Sequence, residues 1–252
     1  MPVERMPQFA VILVAAGRSS RFNDPNFKKP FASLNGKAVW LHSAETFLKR
    51  KDIKQMVIVV SPDDRPDFLG RFGPNIAVLG IDIVNGGAQR ADSVCAGLSE
   101  VVGCEYVAIH DAARPCIDAD LIDRTFNAAI ESGAAIPAVP VHSTLKRSAS
   151  GDTVDETVDR SGLFMAQTPQ VFRYDLIKEL YDSRGDFNPT DESSLVEAAG
   201  GKVTLVEGSP FNVKITTNGD LSFAGACLKA MPKPKFDVPS HPFKDDDGIL
   251  FR

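Results

Sequence analysis

VILVAAGRSSRF, residues 11–22, sets an apolar run directly before two alanines, a glycine, two serines and two arginines. The apolar part reaches back to Phe9, so Phe9–Val14 is expected to be a strand buried on both faces. Small residues after a strand let backbone N–H groups come close to a ligand, and clustered N–H donors form an anion cradle. Arg18 and Arg21 add charge, and Lys28 and Lys29 follow. In open parallel sheets ligands sit beyond the carboxyl ends of strands, near a switch in strand order. The loop at 15–20 is therefore a candidate polyphosphate site, with an ordinary solvated loop as the alternative for this stretch alone. No GxxxxGK[ST] occurs in the chain, and no GxGxxG follows the strand, which argues against P-loop and dinucleotide-binding readings.

Working outward, apolar strands are expected at 55–60, 81–84, 105–110 and 134–141. Helical spacing predicts helices at 39–50, 91–102 and 118–132, and a short one at 66–72. Strands alternating with helices predict parallel βαβ units in an α/β sandwich. The pattern changes after Pro140. Residues 145–147 and 157–159 read as the two sides of an extended excursion leaving the main sheet. Helices resume at Tyr174–Ser183 and 191–199, strands at 203–206 and 212–215, and a last helix at 221–229. From Met231 onward the chain is rich in proline and acid, which predicts a loosely held tail.

Two more stretches carry candidate chemistry. NGGAQRADS (85–93) follows a short strand and opens a helix. Its glycine pair would let a flat ligand such as a base approach, with Gln89, Arg90 and Ser93 able to hydrogen-bond it. The plainer reading is a strand–turn–helix connection. AIHDAARP (108–115) ends a hydrophobic strand with the carboxylate of Asp111, placed for a metal or a substrate hydroxyl. The alternative is an Asp111–Arg114 ion pair that braces the loop. His110 reads as a structural histidine, since no second His or Cys stands at metal spacing.

Composition narrows the classes. In 252 residues the net charge is −5, which argues against nucleic-acid and membrane-surface binding. Hydrophobic residues at 43% and charged residues at 24% fit an ordinary soluble globule. No apolar run approaches the roughly 20 residues needed to cross a bilayer. Cys95, Cys104, Cys116 and Cys227 are scattered, which predicts reduced thiols and a cytoplasmic protein.

Seven stretches in register carry a family likeness: AAGRSSRF…KKPFASLNGKAVWLHS, VNGGAQRADSVCAGL, HDAARPCI, PVHSTLKR, RSGLFMAQTPQVF, TDESSLVEAAG and VEGSPFNVKITT. Together, over residues 8–230, they resemble the 2-C-methyl-D-erythritol 4-phosphate cytidylyltransferases. The resemblance implies a Rossmann-like nucleotidyltransferase three-layer sandwich with a mostly parallel sheet. It implies one nucleotidyltransferase domain at 1–230, a protruding β-arm for dimerisation at about 141–165, and a tail at 231–252. It also implies transfer of CMP from CTP to methylerythritol phosphate with Mg²⁺, in a homodimer that exchanges arms. Arg21, Lys29 and Lys214 match the catalytic cations. Ala15, Ala16, Gly17, Gly86, Gly87 and Ser93 match the nucleotide contacts, with the backbone at Ala88 helping. Asp111, Arg114, Thr144 and Arg160 match the acceptor contacts, the last two reaching a neighbouring subunit. The first loop departs from the family in lacking its second glycine and its methionine. His142–Ser143 stand where an aspartate often precedes the threonine. A ribitol 5-phosphate cytidylyltransferase and a non-catalytic nucleotide sensor are the competing readings.

Overall fold

The computed structural model describes residues 6–17 and 31–232. The first strand, β1 (Phe9–Val14), is buried along its length, as its unbroken apolar sequence requires. It pairs in parallel with β4 (Ile53–Val60) on one edge and β6 (Tyr106–Asp111) on the other. Next to β4 lies β5 (Asp82–Asn85), also parallel. The chain thus builds outward from β1 in one direction and then returns to add β6 on the far side. That reversal is the switch point at which ligands bind in such sheets.

Beyond β6 the sheet continues through β7 (Ala134–Pro140) and β12 (Thr204–Glu207), which pair in parallel. Between β6 and β7 sits an antiparallel insert. β11 (Gln170–Arg173) pairs with both, and β10 (Phe164–Ala166) extends the pairing along β7. Neither insert strand is expected from the sequence. Each is three or four residues long, too short to show a period. The hairpin β8 (Leu145–Arg147) and β9 (Glu156–Val158) forms its own two-stranded sheet. The predicted excursion is therefore present as a separate arm. Residues 212–215, predicted as a strand, join no ladder and lie outside helix and strand.

Side-chain alternation divides the core into two layers. Phe9, Val11 and Leu13 face α1 (Val39–Leu48), α2 (Arg65–Leu79) and α4 (Ala119–Ser132), meeting Trp40, Phe68 and Phe126. Ala10 and Ile12 face α3 (Arg90–Ser99), α5 (Tyr174–Ser183) and α6 (Glu192–Ala198), meeting Val94, Ile177 and Leu195. A mostly parallel sheet covered on both faces by helices is the predicted three-layer sandwich. A Cβ on Gly97 would stand 2.7 Å from Ile12 Cγ2, so this glycine lets α3 lie close on β1. A third cluster joins β2 (Ser33–Leu34), which pairs with β3 (Lys37–Ala38), to Ile215 and to α7 (Asn218–Ala230) through Leu34, Ala224 and Cys227. The second helix runs far past the predicted 66–72, because Gly70, Gly73 and Pro74 read as breakers yet lie within it.

Candidate active site

The carboxyl ends of β1, β5 and β6 come together. The Ala112 N–H donates to the Val14 carbonyl at 3.1 Å, tying the exit of β6 to that of β1. The Gly86 N–H donates to Val60 O at 2.7 Å, holding the glycine pair against β4. A Cβ on Gly86 would lie 2.6 Å from Ala16 Cβ and 2.7 Å from Ser93 Oγ. Ala16, Gly86 and Ser93 therefore meet as the sequence implies, and only glycine fits between the other two. A Cβ on Gly87 would stand 2.3 Å from Asp92 Cβ, and its N–H donates to Ser93 Oγ at 3.2 Å. The Ala15 N–H is committed to Val59 O at 2.8 Å, so the N–H cradle of this loop begins at Ala16. The glycines contribute missing side chains rather than free donors. Arg18, Ser19, Ser20, Arg21, Lys28 and Lys29 lie outside the described residues.

Alternation along β6 sets the next two groups on opposite faces. His110 packs edge-on against Phe47 on the α1 side. Asp111 turns toward α3 and α6. The Asp111 N–H donates to Thr168 Oγ1 at 3.1 Å, and Thr168 Oγ1 lies 3.0 Å from His110 Nδ1. The Arg114 carbonyl beside Nε2 can only accept, so Nδ1 is the unprotonated nitrogen of the neutral ring and the threonine hydroxyl donates to it. His110 Nε2 then carries the proton and donates to the Arg114 carbonyl at 3.1 Å. Burial pushes the His110 imidazole down to about 4, against the pull of its bond to Arg114. His110 is thus neutral and structural, as expected, and it fixes the backbone on both sides of the site.

Asp111 is nearly buried and meets three cations. Arg90 Nε lies 3.3 Å from Oδ1, Lys214 Nζ 2.7 Å from Oδ2, and Arg114 Nε 3.8 Å from Oδ2. Burial alone would raise its pKa; Arg90, Lys214 and Arg114 overcome this and hold the carboxyl well below the usual range. Arg114 is itself braced, donating to Asn212 O at 2.8 Å and Ala166 O at 3.4 Å. Burial lowers its pKa, and the neighbouring Arg90 adds to that while Asp111 opposes it. Arg114 Nε and Asn212 Oδ1 are buried polar atoms with no hydrogen-bond partner, both at this site. The structure thus joins Asp111, Arg114 and Lys214, including the Asp111–Arg114 pair weighed as a loop brace.

Arg90, offered by the sequence as one possible base contact, is bound to a carboxylate. Its two terminal nitrogens grip Glu192 at 2.6 and 3.0 Å, and the fully buried Glu192 also accepts from Tyr181 at 3.0 Å. Sequence reasoning did not single out Glu192, because an acid in the first turn of a helix reads as a partner for the helix dipole. Ser93 is buried, with its hydroxyl spent on Gln89 O at 3.1 Å and on Gly87, so its visible task is to shape the loop. Thr144 and Arg160 stand exposed at the base of the arm, where Arg160 donates to His142 O, and neither touches the Asp111 cluster.

Among the described residues no group of three or more His, Cys, Asp or Glu side chains clusters to hold a metal. With its carboxylate already gripped by three cations, Asp111 offers no ready ligand either. No helix among them is long and apolar enough to cross a membrane.

Residues 9–230 match the family model "IspD: 2-C-methyl-D-erythritol 4-phosphate cytidylyltransferase". The chain is 42% identical over 231 residues to the 2-C-methyl-D-erythritol 4-phosphate cytidylyltransferase of Rhodopirellula baltica, covering 87% of this chain and 94% of that one. Against the bifunctional enzyme IspD/IspF of Rhodospirillum rubrum it is 42% identical over 221 residues. That match covers 87% of this chain but only 56% of the relative, so the chain spans about half of the bifunctional protein. Among solved structures, the 4-diphosphocytidyl-2C-methyl-D-erythritol synthase of Anaerococcus prevotii superposes with a TM-score of 0.74 at 29% identity, covering 89% of this chain and 100% of that one. The Thermus thermophilus 2-C-methyl-D-erythritol 4-phosphate cytidylyltransferase gives 0.72 at 30% identity, covering 86% and 98%. From its first strand to its last helix, this chain belongs to the IspD family of 2-C-methyl-D-erythritol 4-phosphate cytidylyltransferases, which are nucleotidyltransferases.

Proposed function

We propose that the protein transfers CMP from CTP to 2-C-methyl-D-erythritol 4-phosphate and releases pyrophosphate. One observation carries this reading beside the family membership. Three cations from distant parts of the chain gather on Asp111, one strand away from the glycine-lined loop at Ala16 and Gly86. The reaction needs such a place. The acceptor's phosphate oxygen is already anionic when it attacks the α-phosphorus, so no general base is required. The obstacle is bringing two polyanions together and stabilising the spread charge of the transition state.

In this reading Ala15, Ala16, Gly17, Gly86, Gly87 and Ser93 shape the nucleotide side. Asp111 takes a hydroxyl of the acceptor, and Arg114 lies beside it. Lys214 serves the reacting phosphates together with Arg21 and Lys29. Mg²⁺ would travel on the triphosphate and offset its charge, since the described side chains build no cage for it. The arm at about 141–165 would cross to a second subunit in a homodimer and deliver Thr144 and Arg160 to the neighbouring site. An isolated two-stranded ribbon is marginal by itself, which supports a partner surface. The four free cysteines suit a reducing cytoplasm.

The deciding assay follows pyrophosphate release with Mg²⁺, CTP and either methylerythritol phosphate or ribitol 5-phosphate. Release with the first acceptor alone is the expected result. Release with the second alone reassigns the acceptor. CTP binding without turnover reassigns the protein as a sensor.

A further inference from the structure

Arg114 and Lys214 have tasks in the reading above, on which this inference rests; Arg90 has none. It is the first residue of α3, and only Ala88 and Gln89 separate it from the glycine pair. Its two terminal nitrogens hold the buried Glu192 as a two-pronged pair, which fixes the plane of the guanidinium. The edge left over is Nε, and it points at Asp111 Oδ1. Each oxygen of Asp111 therefore has a different cation, Arg90 on Oδ1 and Lys214 on Oδ2.

The three partners are not equally fixed. The side chain of Lys214 is 44% exposed, that of Arg90 27% and that of Arg114 12%. Lys214 reaches Asp111 from a segment that belongs to no helix or strand, and arriving phosphates would compete for its ammonium. A nearly buried carboxylate that lost its sole partner would be strongly destabilised. Arg90 cannot be drawn away in the same manner, because Glu192 and Tyr181 anchor it from the far side.

We propose that Arg90 is a positioning residue for Asp111, anchored by Glu192, and that this buried pair keeps the acceptor-binding carboxylate aligned while Lys214 exchanges Asp111 for substrate phosphate. A plain brace between α3 and α6 would have a different signature: its loss would impair both substrates alike. Among the described residues the groups facing Asp111 are Arg90 from α3, Arg114 from the loop after β6, Lys214 from the segment after β12, the Thr168 hydroxyl on its N–H, and the neutral His110 beside it in sequence. Removal of Arg90 leaves two cations there, so the carboxyl should titrate at higher pH than in the unaltered protein.

The test compares the unaltered protein with the paired variant Arg90→Gln/Glu192→Gln, which removes both buried charges together. Arg90→Lys is the milder second variant, since an ammonium can serve Glu192 but cannot span both carboxylates. The Asp111 carboxyl is titrated by carbon NMR without substrate, and KM is measured for each substrate. The expected outcome is an upward move of the Asp111 titration and an acceptor KM raised about tenfold or more, with CTP KM held within about threefold. An unmoved titration, or both KM values rising together, overturns the proposal. If the paired variant fails to unfold cooperatively, Arg90→Lys decides by the same criteria. Absence of turnover in the unaltered protein would refute the assigned activity, while the NMR titration would still decide the role of Arg90.

Discussion

Lys214 Nζ lies 2.7 Å from Asp111 Oδ2, so the segment before α7 hands a half-exposed cation to the carboxyl end of β6. That cation is placed to leave. Lys214→Ala is expected to lower kcat by about 10²–10³-fold, by analogy with the loss of one transition-state donor. Cooperative unfolding should persist, because Asp111 keeps both arginines. A variant that no longer folds at ordinary temperature would show that Lys214 is a structural residue.

Asp111 links the site to acid stability. Its folded pKa is depressed, so its ionised form stabilises the native state in full above the unfolded value near 3.9. That contribution drains away as pH falls below this value. Asp111→Asn leaves Arg90, Arg114 and Lys214 facing one another without their counter-charge, at an expected cost of about 3–5 kcal/mol near neutrality. Its stability should also fall less steeply than that of the parent below about pH 4. Denaturant titrations from pH 3 to 7 read both effects; parallel acid limbs would contradict the ion network.

His110 governs a separate window. It is fully buried and neutral, and burial lowers its pKa to about 4. A histidine depressed in the fold contributes stability that is whole above its unfolded pKa and is lost as pH falls. The window therefore runs from about 6.5 down to 4, with up to roughly 3 kcal/mol at stake. His110→Gln should flatten the stability profile there and leave the limb below pH 4 in place. A slope that survives the substitution would assign it to other groups.

What the sequence disclosed follows physical range. The strands of the first half were legible because burial on both faces demands unbroken apolar runs such as FAVILV. His110, Asp111 and Arg114 were legible because polar groups ending such a strand have few neighbours to choose from. The Arg90–Glu192 pair was not legible, because Glu192 arrives from a helix late in the chain and no local spacing announces that meeting. The insert strands β10 and β11 stayed hidden for a similar reason. Their identity rests on pairing with β7 rather than on their own three or four residues.

Gly86 gives a direct test of the nucleotide side. Gly86→Ala would put a methyl group 2.6 Å from Ala16 Cβ, and neither neighbour is the free end of a flexible chain. The loop must widen, so CTP affinity is expected to fall about tenfold or more by calorimetry, while overpacking at this rim costs about 1–3 kcal/mol of stability. Unchanged CTP binding would remove the Ala16–Gly86 contact from the nucleotide site.

The arm provides the test of assembly. Its two strands pair only with each other, Arg147 and Glu156 form an exposed ion pair across them, and Leu163, Phe164 and Met165 are exposed at its base. If the arm completes a neighbouring site, Arg160 and Lys214 act in the same site but come from different chains. Arg160→Ala and Lys214→Ala, each strongly impaired alone, should then complement when mixed. Random re-pairing in a symmetric dimer leaves one intact site in each mixed pair, so about a quarter of the unaltered activity should return. No return of activity despite subunit exchange, followed with differently tagged chains, would place Arg160 and Lys214 on one chain's own site and end the shared-arm reading.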